Sequence, residues 1–150
     1  MKKSVLLIIS GSIAAQKSPA LIRLLKERGI GVRCIVTRSG EKFVDVGEVK
    51  KLSGHPVSTD LFAPDEMREM WHIRFSREVD LVVVAPASAD LIAKMAHGIA
   101  DDMASATLLA NNKKLLVAPA MNTMMWVHPA TQRNVAQIQK DGATIIEPGV

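Results

Sequence analysis

Four short stretches of this chain carry residues suited to holding an anion or moving a proton: SGSIAAQKS at 10–18, TRS at 37–39, APASAD at 85–90 and PAMNTMMW at 119–126. In the first, Gly11 sits among small and hydroxylated residues ahead of a helical pattern. Backbone N–H groups in such a turn can approach a phosphate, helped by the helix N-terminus. The same residues also suit a tight turn that only packs a helix on a sheet, and the turn alone leaves both readings open. It matches neither GxGxxG nor GxxxxGKS/T, so it indicates neither a dinucleotide turn nor a nucleotide triphosphatase loop. Thr37-Arg38 lacks the acidic residue that would hold the ribose of NAD, and a monophosphate cofactor suits these ends better. In the third stretch Ser88 or Asp90 can cap a helix. Two phosphate-friendly turns in one chain nevertheless point to a pocket. In the fourth, Asn122 stands among methionines directly after the apolar run Leu115–Ala118, where packing alone has no use for an amide.

Other reactive side chains read more plainly. Adjacent carboxylates such as Asp101 and Asp102 are expected to point in different directions, and no histidine lies at ligand spacing, so helix capping is expected and no metal site. His97 and His128 fall near helix ends, and His55 falls in a Gly/Pro-rich stretch that reads as exposed. His72, in MWHIRFSREVD, precedes the strand beginning near Asp80; by pattern alone it reads as a surface residue. Cys34, the one cysteine, lies in the apolar stretch VRCIV and reads as an inert buried thiol. A single cysteine excludes an intrachain disulfide and fits a reducing, cytoplasmic setting.

The elements that must position these residues alternate along the chain. Apolar runs at Val5–Ile9, Val32–Val36, Leu81–Ala85, Leu115–Ala118 and Ala143–Ile146 read as strands. Helical patterns cover Pro19–Arg28, Ser39–Val49 (broken near Gly47), Ala89–Ala96, Met103–Leu109 and Pro129–Lys140. Residues 53–70, with Gly54, Pro56 and Pro64, read as an irregular excursion. Val/Ile/Leu-rich strands separated by helices predict an α/β fold, a doubly wound parallel sheet covered on both faces. Ligands bind such sheets outside the carboxyl ends of the strands, where all four stretches fall.

Length and composition agree. The 150 residues make one domain, 48% hydrophobic and 23% charged. The opening MKKSVLLIIS resembles a signal peptide, but its apolar run stops at Ser10-Gly11, too short for a membrane span, and reads as a core strand. A net charge of +4 with scattered basic residues, three Phe, two Trp and no Tyr argues against nucleic-acid binding. A small phosphorylated anion remains compatible.

GSIAAQK, HI ahead of DLVVVAPASAD, and PAMNTMMW occur here in the order found in the flavin-containing cysteine decarboxylases. Over nearly its whole length the chain resembles the phosphopantothenoylcysteine decarboxylase part of the bacterial bifunctional coenzyme A biosynthesis proteins, which SGHPVSTDLF also resembles. The resemblance implies a flavodoxin-like Rossmann sandwich, FMN as cofactor, and a homotrimer or multiple of trimers with FMN near subunit interfaces. It implies a lyase acting in coenzyme A biosynthesis: flavin oxidises the cysteine moiety of 4′-phosphopantothenoylcysteine, carbon dioxide leaves, and the product enethiol is reduced to 4′-phosphopantetheine. Carried over by motif, Gly11, Ser12, Ile13, Thr37, Ser39, Ser88, Ala89 and Ala120 are expected at FMN. Asn122 is expected to hold the substrate carboxylate, Met125 to contact substrate and Arg77 to take its phosphate. Against the surface reading, the resemblance makes His72 catalytic, with Asn122, as a proton carrier or orienting group.

The chain departs from the family at Asp90-Leu91, where many members read PASANT. It also stops at IIEPGV, before the family's C-terminal lid, whose cysteine assists the final reduction; Cys34 is misplaced to substitute. The expectation is thus a single flavoprotein domain over 1–150 without lid or synthetase domain. Two alternatives stand beside the leading reading: flavin binding without full turnover, and decarboxylation of a peptide's C-terminal cysteine.

Overall fold

A computed structural model describes residues 2–59 and 78–148. Among the described residues, six parallel strands form one sheet: β1 Ser4–Ile9, β2 Gly31–Val36, β3 Ser58–Thr59, β4 Leu81–Ala87, β5 Lys114–Pro119 and β6 Thr144–Ile145. Their order is β3-β2-β1-β4-β5-β6. Without the two-residue edge strand β3 this is the order of a flavodoxin-like sheet, and the strand order reverses between β1 and β4. The α-helices that lie wholly among the described residues are α1 Ser18–Glu27, α2 Val46–Ser53, α3 Ala89–His97, α4 Met103–Leu109, α5 Thr123–Val127 and α6 Pro129–Lys140.

Strand β1 shows why both faces must be covered. Side chains alternate along a strand, so Leu6 and Ile8 join one core with Leu91 and Ile92 of α3, Met103 of α4, and Val135 and Ile138 of α6. Val5, Leu7 and Ile9 join the other, with Ile22 of α1 and Val49 of α2. Leu6, Leu7, Ile8 and Ile9 are wholly buried. Each such side chain stabilises the fold by roughly 1.5–3 kcal/mol. The apolar run therefore specifies a central strand, as the doubly wound reading requires.

Three local expectations are corrected. The helix placed at 39–49 is a short 3-10 turn at Gly40–Lys42 followed by α2, which starts at Val46. Gly47 does not break it: its N–H donates to the capping Asp45 Oδ1 at 3.0 Å within the first turn. The excursion after residue 53 contributes the edge strand β3, paired through Ile35↔Ser58 and Val36↔Thr59. PAMNTMMW contains the helix α5, and the last strand is shorter than Ala143–Ile146. Residues 60–70 of the excursion lie outside the described residues.

Candidate active site

The carboxyl ends of β1, β4 and β5 open on a cleft of about 620 Å³, lined among others by Gly11, Ser12, Ile13, Ser39, Ser88, Ala89, Ala120, Asn122 and Met125. An adjoining cavity of about 400 Å³ shares Ser39, Ser88 and Asp90 and adds Ser10, Thr37, Arg38 and Lys94. Both sizes fall in the range of about 300–1,000 Å³ usual for small-molecule sites. Thr37 thus lies in the side cavity rather than the main cleft. His72 and Arg77 lie outside the described residues.

Small residues bring the first two turns together. A Cβ on Gly11 would overlap the Cβ of Ser39, so only glycine lets the turn after β1 press against the turn after β2. Gly40 is equally constrained, since a Cβ there would lie 2.6 Å from the Ile9 carbonyl oxygen. The buried Thr37 hydroxyl holds this turn by accepting from Gly40 N–H at 3.0 Å.

One device recurs at three lining residues. Ser12 Oγ accepts from Ala14 N–H at 3.2 Å, Ser88 Oγ from Leu91 N–H at 3.1 Å, and Asn122 Oδ1 from Met125 N–H at 2.9 Å. Each oxygen caps the helical turn that follows it. Spending the oxygen in this way leaves the hydroxyl proton, or the amide NH2 group, to donate elsewhere. The cap therefore leaves the NH2 group of Asn122, an exposed residue lining the cleft, outside the capping bond. This is a structural use for the amide that sequence spacing alone did not reveal.

Electrostatically the side cavity is mixed. Lys94 Nζ lies 3.3 Å from Asp90, 3.3 Å from Asp101 and 3.6 Å from Asp102. Burial opposes its charge most strongly, but the three carboxylates more than offset this and raise its pKa above 10.5. Asp102 also caps α4 in a reciprocal arrangement with Ser105; against the expectation that they point in different directions, Asp101 and Asp102 converge on Lys94, acting as cap and counter-ion. Among the described residues no group of three or more His, Cys, Asp or Glu could hold a metal ion. Sequence reasoning overlooked Ser10 and Lys94; the Asp90–Lys94 spacing of four was the one available signal for the latter.

The remaining histidines depart from expectation in part. His128 lies at the start of α6 and caps it, its Nδ1 accepting from Ala130 N–H at 3.0 Å. His55 is half-buried rather than exposed. Its pKa is lowered, first by burial and then by the charges of Arg33, Lys26 and Lys2. Cys34 is 1% exposed, and burial pushes its thiol up to about 12, as an inert core residue requires.

A further cavity of about 440 Å³ lies between α3, α4 and α6. It is lined by Asn111–Lys113 and Asp141–Ala143, which precede β5 and β6, so it faces the amino ends of those strands. Ligand sites in such sheets form at the opposite edge.

The chain is 44% identical over 147 residues to the coenzyme A biosynthesis bifunctional protein CoaBC of Mycolicibacterium smegmatis, covering 98% of this chain and 35% of that protein. It thus spans about a third of the length of the curated relatives it matches. The FMN-dependent cysteine decarboxylase SpaF superposes with a TM-score of 0.88 at 32% identity, covering 97% of this chain and 84% of that one. A PPC decarboxylase structure with bound pantothenoylaminoethenethiol gives 0.80 at 36% identity, covering 97% of this chain and 82% of that one. Residues 1–150 match the Flavoprotein family throughout. With its parallel flavodoxin-like sheet and small-residue cradle at the switch point, this chain belongs to the Flavoprotein family.

Proposed function

We propose that this chain is an FMN-dependent decarboxylase domain acting on 4′-phosphopantothenoylcysteine in coenzyme A biosynthesis. The observation that carries the reading is the capped Asn122, which lines the cleft together with Gly11, Ser12, Ser88 and Ala120 while its cap bond uses only Oδ1 and leaves the NH2 group out. The cradle fits FMN: the Gly11–Ser39 contact leaves room for close backbone approach, and the Ser12 and Ser88 hydroxyls keep protons to donate to phosphate or ribityl oxygens. Ile13, Ala89 and Ala120 line the same cleft with side chains small or apolar enough to lie against a ring. Bound there, FMN supplies a two-electron acceptor for the cysteine moiety.

The protein's part is orientation. Asn122 donates to the substrate carboxylate without adding a charge. A lysine would favour the carboxylate over the departing neutral carbon dioxide and so oppose its loss; an amide holds the group with less of that penalty. Met125, 44% exposed, offers a flexible thioether beside it. His72 as proton carrier and Arg77 as phosphate partner follow from the sequence likeness.

Assembly as a homotrimer belongs to the same reading. Helix α5 buries none of its residues, and Ile13, Met124 and Val127 are 72%, 76% and 56% exposed. An apolar surface beside the cleft suits cover by a second copy. No helix among the described residues is long and apolar enough to cross a membrane, and a cytoplasmic site of action accords with the lone reduced cysteine.

The test is release of carbon dioxide from 4′-phosphopantothenoylcysteine by the flavin-loaded protein in a single turnover. A peptide ending in cysteine serves as the competing substrate. The reading requires release from the phosphorylated compound; release from the peptide alone would overturn it.

A further inference from the structure

The turns after β1 and β4 are joined by a buried hydroxyl that does not line the main cleft. Ser10 is 1% exposed. Its Oγ donates to the Pro86 carbonyl at 2.6 Å and accepts from Ser88 N–H at 2.8 Å. Its own N–H also donates to Pro86 O, at 3.2 Å. Regular pairing of β1 with β4 ends at Ile8↔Val84, and the β4–β5 register shifts between Val84 and Ala87. Past that point, the ladder bonds between these strand ends are replaced by contacts of Ser10.

We infer that Ser10 is a positioning residue for the cofactor, clamping the turn at Gly11–Ile13 to the turn at Ser88–Asp90 across the switch point of the sheet. This rests on the flavin reading above. A clamp of this kind sets the separation of two walls of the cleft, as a site that must hold its ligand without reorganising requires. It also determines what Ser88 offers. The Ser88 N–H is spent on Ser10, and the Ser88 oxygen on Leu91 N–H, so its hydroxyl proton is the donor left for a ligand. Ser10→Ala removes about one atom yet strips Ser88 N–H of its acceptor and Pro86 O of one donor. An amide left unpaired in a part-buried turn is costly enough that the turn moves instead. Ser10→Thr keeps the hydroxyl and serves as the conservative control.

The experiment compares wild type, Ser10→Ala and Ser10→Thr, each stripped of flavin. Amide hydrogen exchange at Ser88 and FMN affinity by flavin-fluorescence titration are read on the same samples. The clamp predicts that Ser10→Ala loses protection at Ser88 while Val82–Val84 stay protected. It also predicts FMN binding weaker by about tenfold or more, with Ser10→Thr close to wild type in both. Lost Ser88 protection with unchanged FMN affinity would overturn the positioning role, leaving Ser10 a purely structural bridge. Unchanged protection would overturn the clamp itself. Failure of the wild-type chain to take up FMN would instead overturn the flavin reading, and the cofactor role of Ser10 with it. Should Ser10→Ala not fold, loss of FMN affinity in Ser10→Thr at normal Ser88 protection would refute the inference, and its retention would support it.

Discussion

Replacing Asn122 by aspartate separates the two uses of this side chain. Asn and Asp are comparable as helix caps, so Asn122→Asp keeps the bond to Met125 N–H that now measures 2.9 Å. What changes is the outward face, where an NH2 donor becomes a carboxylate oxygen. Two like charges about 4 Å apart repel by about 1 kcal/mol in bulk water and about 4 kcal/mol near a protein surface. The lost hydrogen bond to a charged group adds roughly 1.5–3 kcal/mol. Together these amount to roughly 3–7 kcal/mol, or roughly two to five powers of ten in kcat/KM. Asn122→Ala loses the donor and the cap alike. The cap is worth about 1 kcal/mol, which in a chain of this size lowers Tm by about 2–4 °C. Asn122→Ser keeps a capping oxygen and adds no charge. The assay is carbon dioxide release by the flavin-loaded variants, read beside thermal unfolding. The account requires Asn122→Asp to be far slower than wild type with an unchanged Tm, and slower than Asn122→Ser. Wild-type activity in Asn122→Asp, or inactivity matched by a fall in Tm, would refute this division of roles.

Other outcomes follow from the same structure. Gly11→Ala forces its new methyl into Ser39; overpacking of this kind costs about 1–3 kcal/mol, and FMN titration should show at least about tenfold weaker binding. Lys94→Met leaves Asp90, Asp101 and Asp102 facing one another around a side chain that is 20% exposed; a loss of about 1–2 kcal/mol is expected in denaturant unfolding, partly recovered at high salt. His55, whose pKa lies below 6.5 in the folded chain, binds its proton less readily than in the unfolded chain. Its contribution to stability is therefore complete above pH 6.5 and is lost as pH falls towards the folded value; His55→Gln should flatten that slope in pH-dependent unfolding. Cys34, held near 12, should resist thiol reagents at pH 8 until the protein is unfolded.

The strands were legible because their positions are apolar on both faces, as in β1, where alternate residues enter opposite cores. The cleft turns were legible as small-residue strand ends. Shorter features carried no periodic signal. Strand β3 is the pair Ser58–Thr59, too brief to alternate. Helix α5 is five residues long and buries none of them, so no amphipathic stripe marks it. Helix α2 was misplaced because Gly47 reads as a breaker; the better markers were Asp45 before Val46 and Gly54, at φ +77°, after Ser53. Ser10 could not be recognised from spacing, because its partners are 76 and 78 residues away. Such a bond exists only once the sheet order places β4 beside β1.

That FMN lies across the carboxyl ends of β1, β4 and β5 is tested most directly by mapping amide chemical shifts of the flavin-free protein during FMN addition. The predicted result is saturable shifts at Gly11–Ile13, Ser39, Ser88–Asp90 and Ala120–Asn122. Shifts gathered instead around Gly98, Leu109 and Gly142, at the cavity on the opposite edge, or no saturable shift at all, would contradict it.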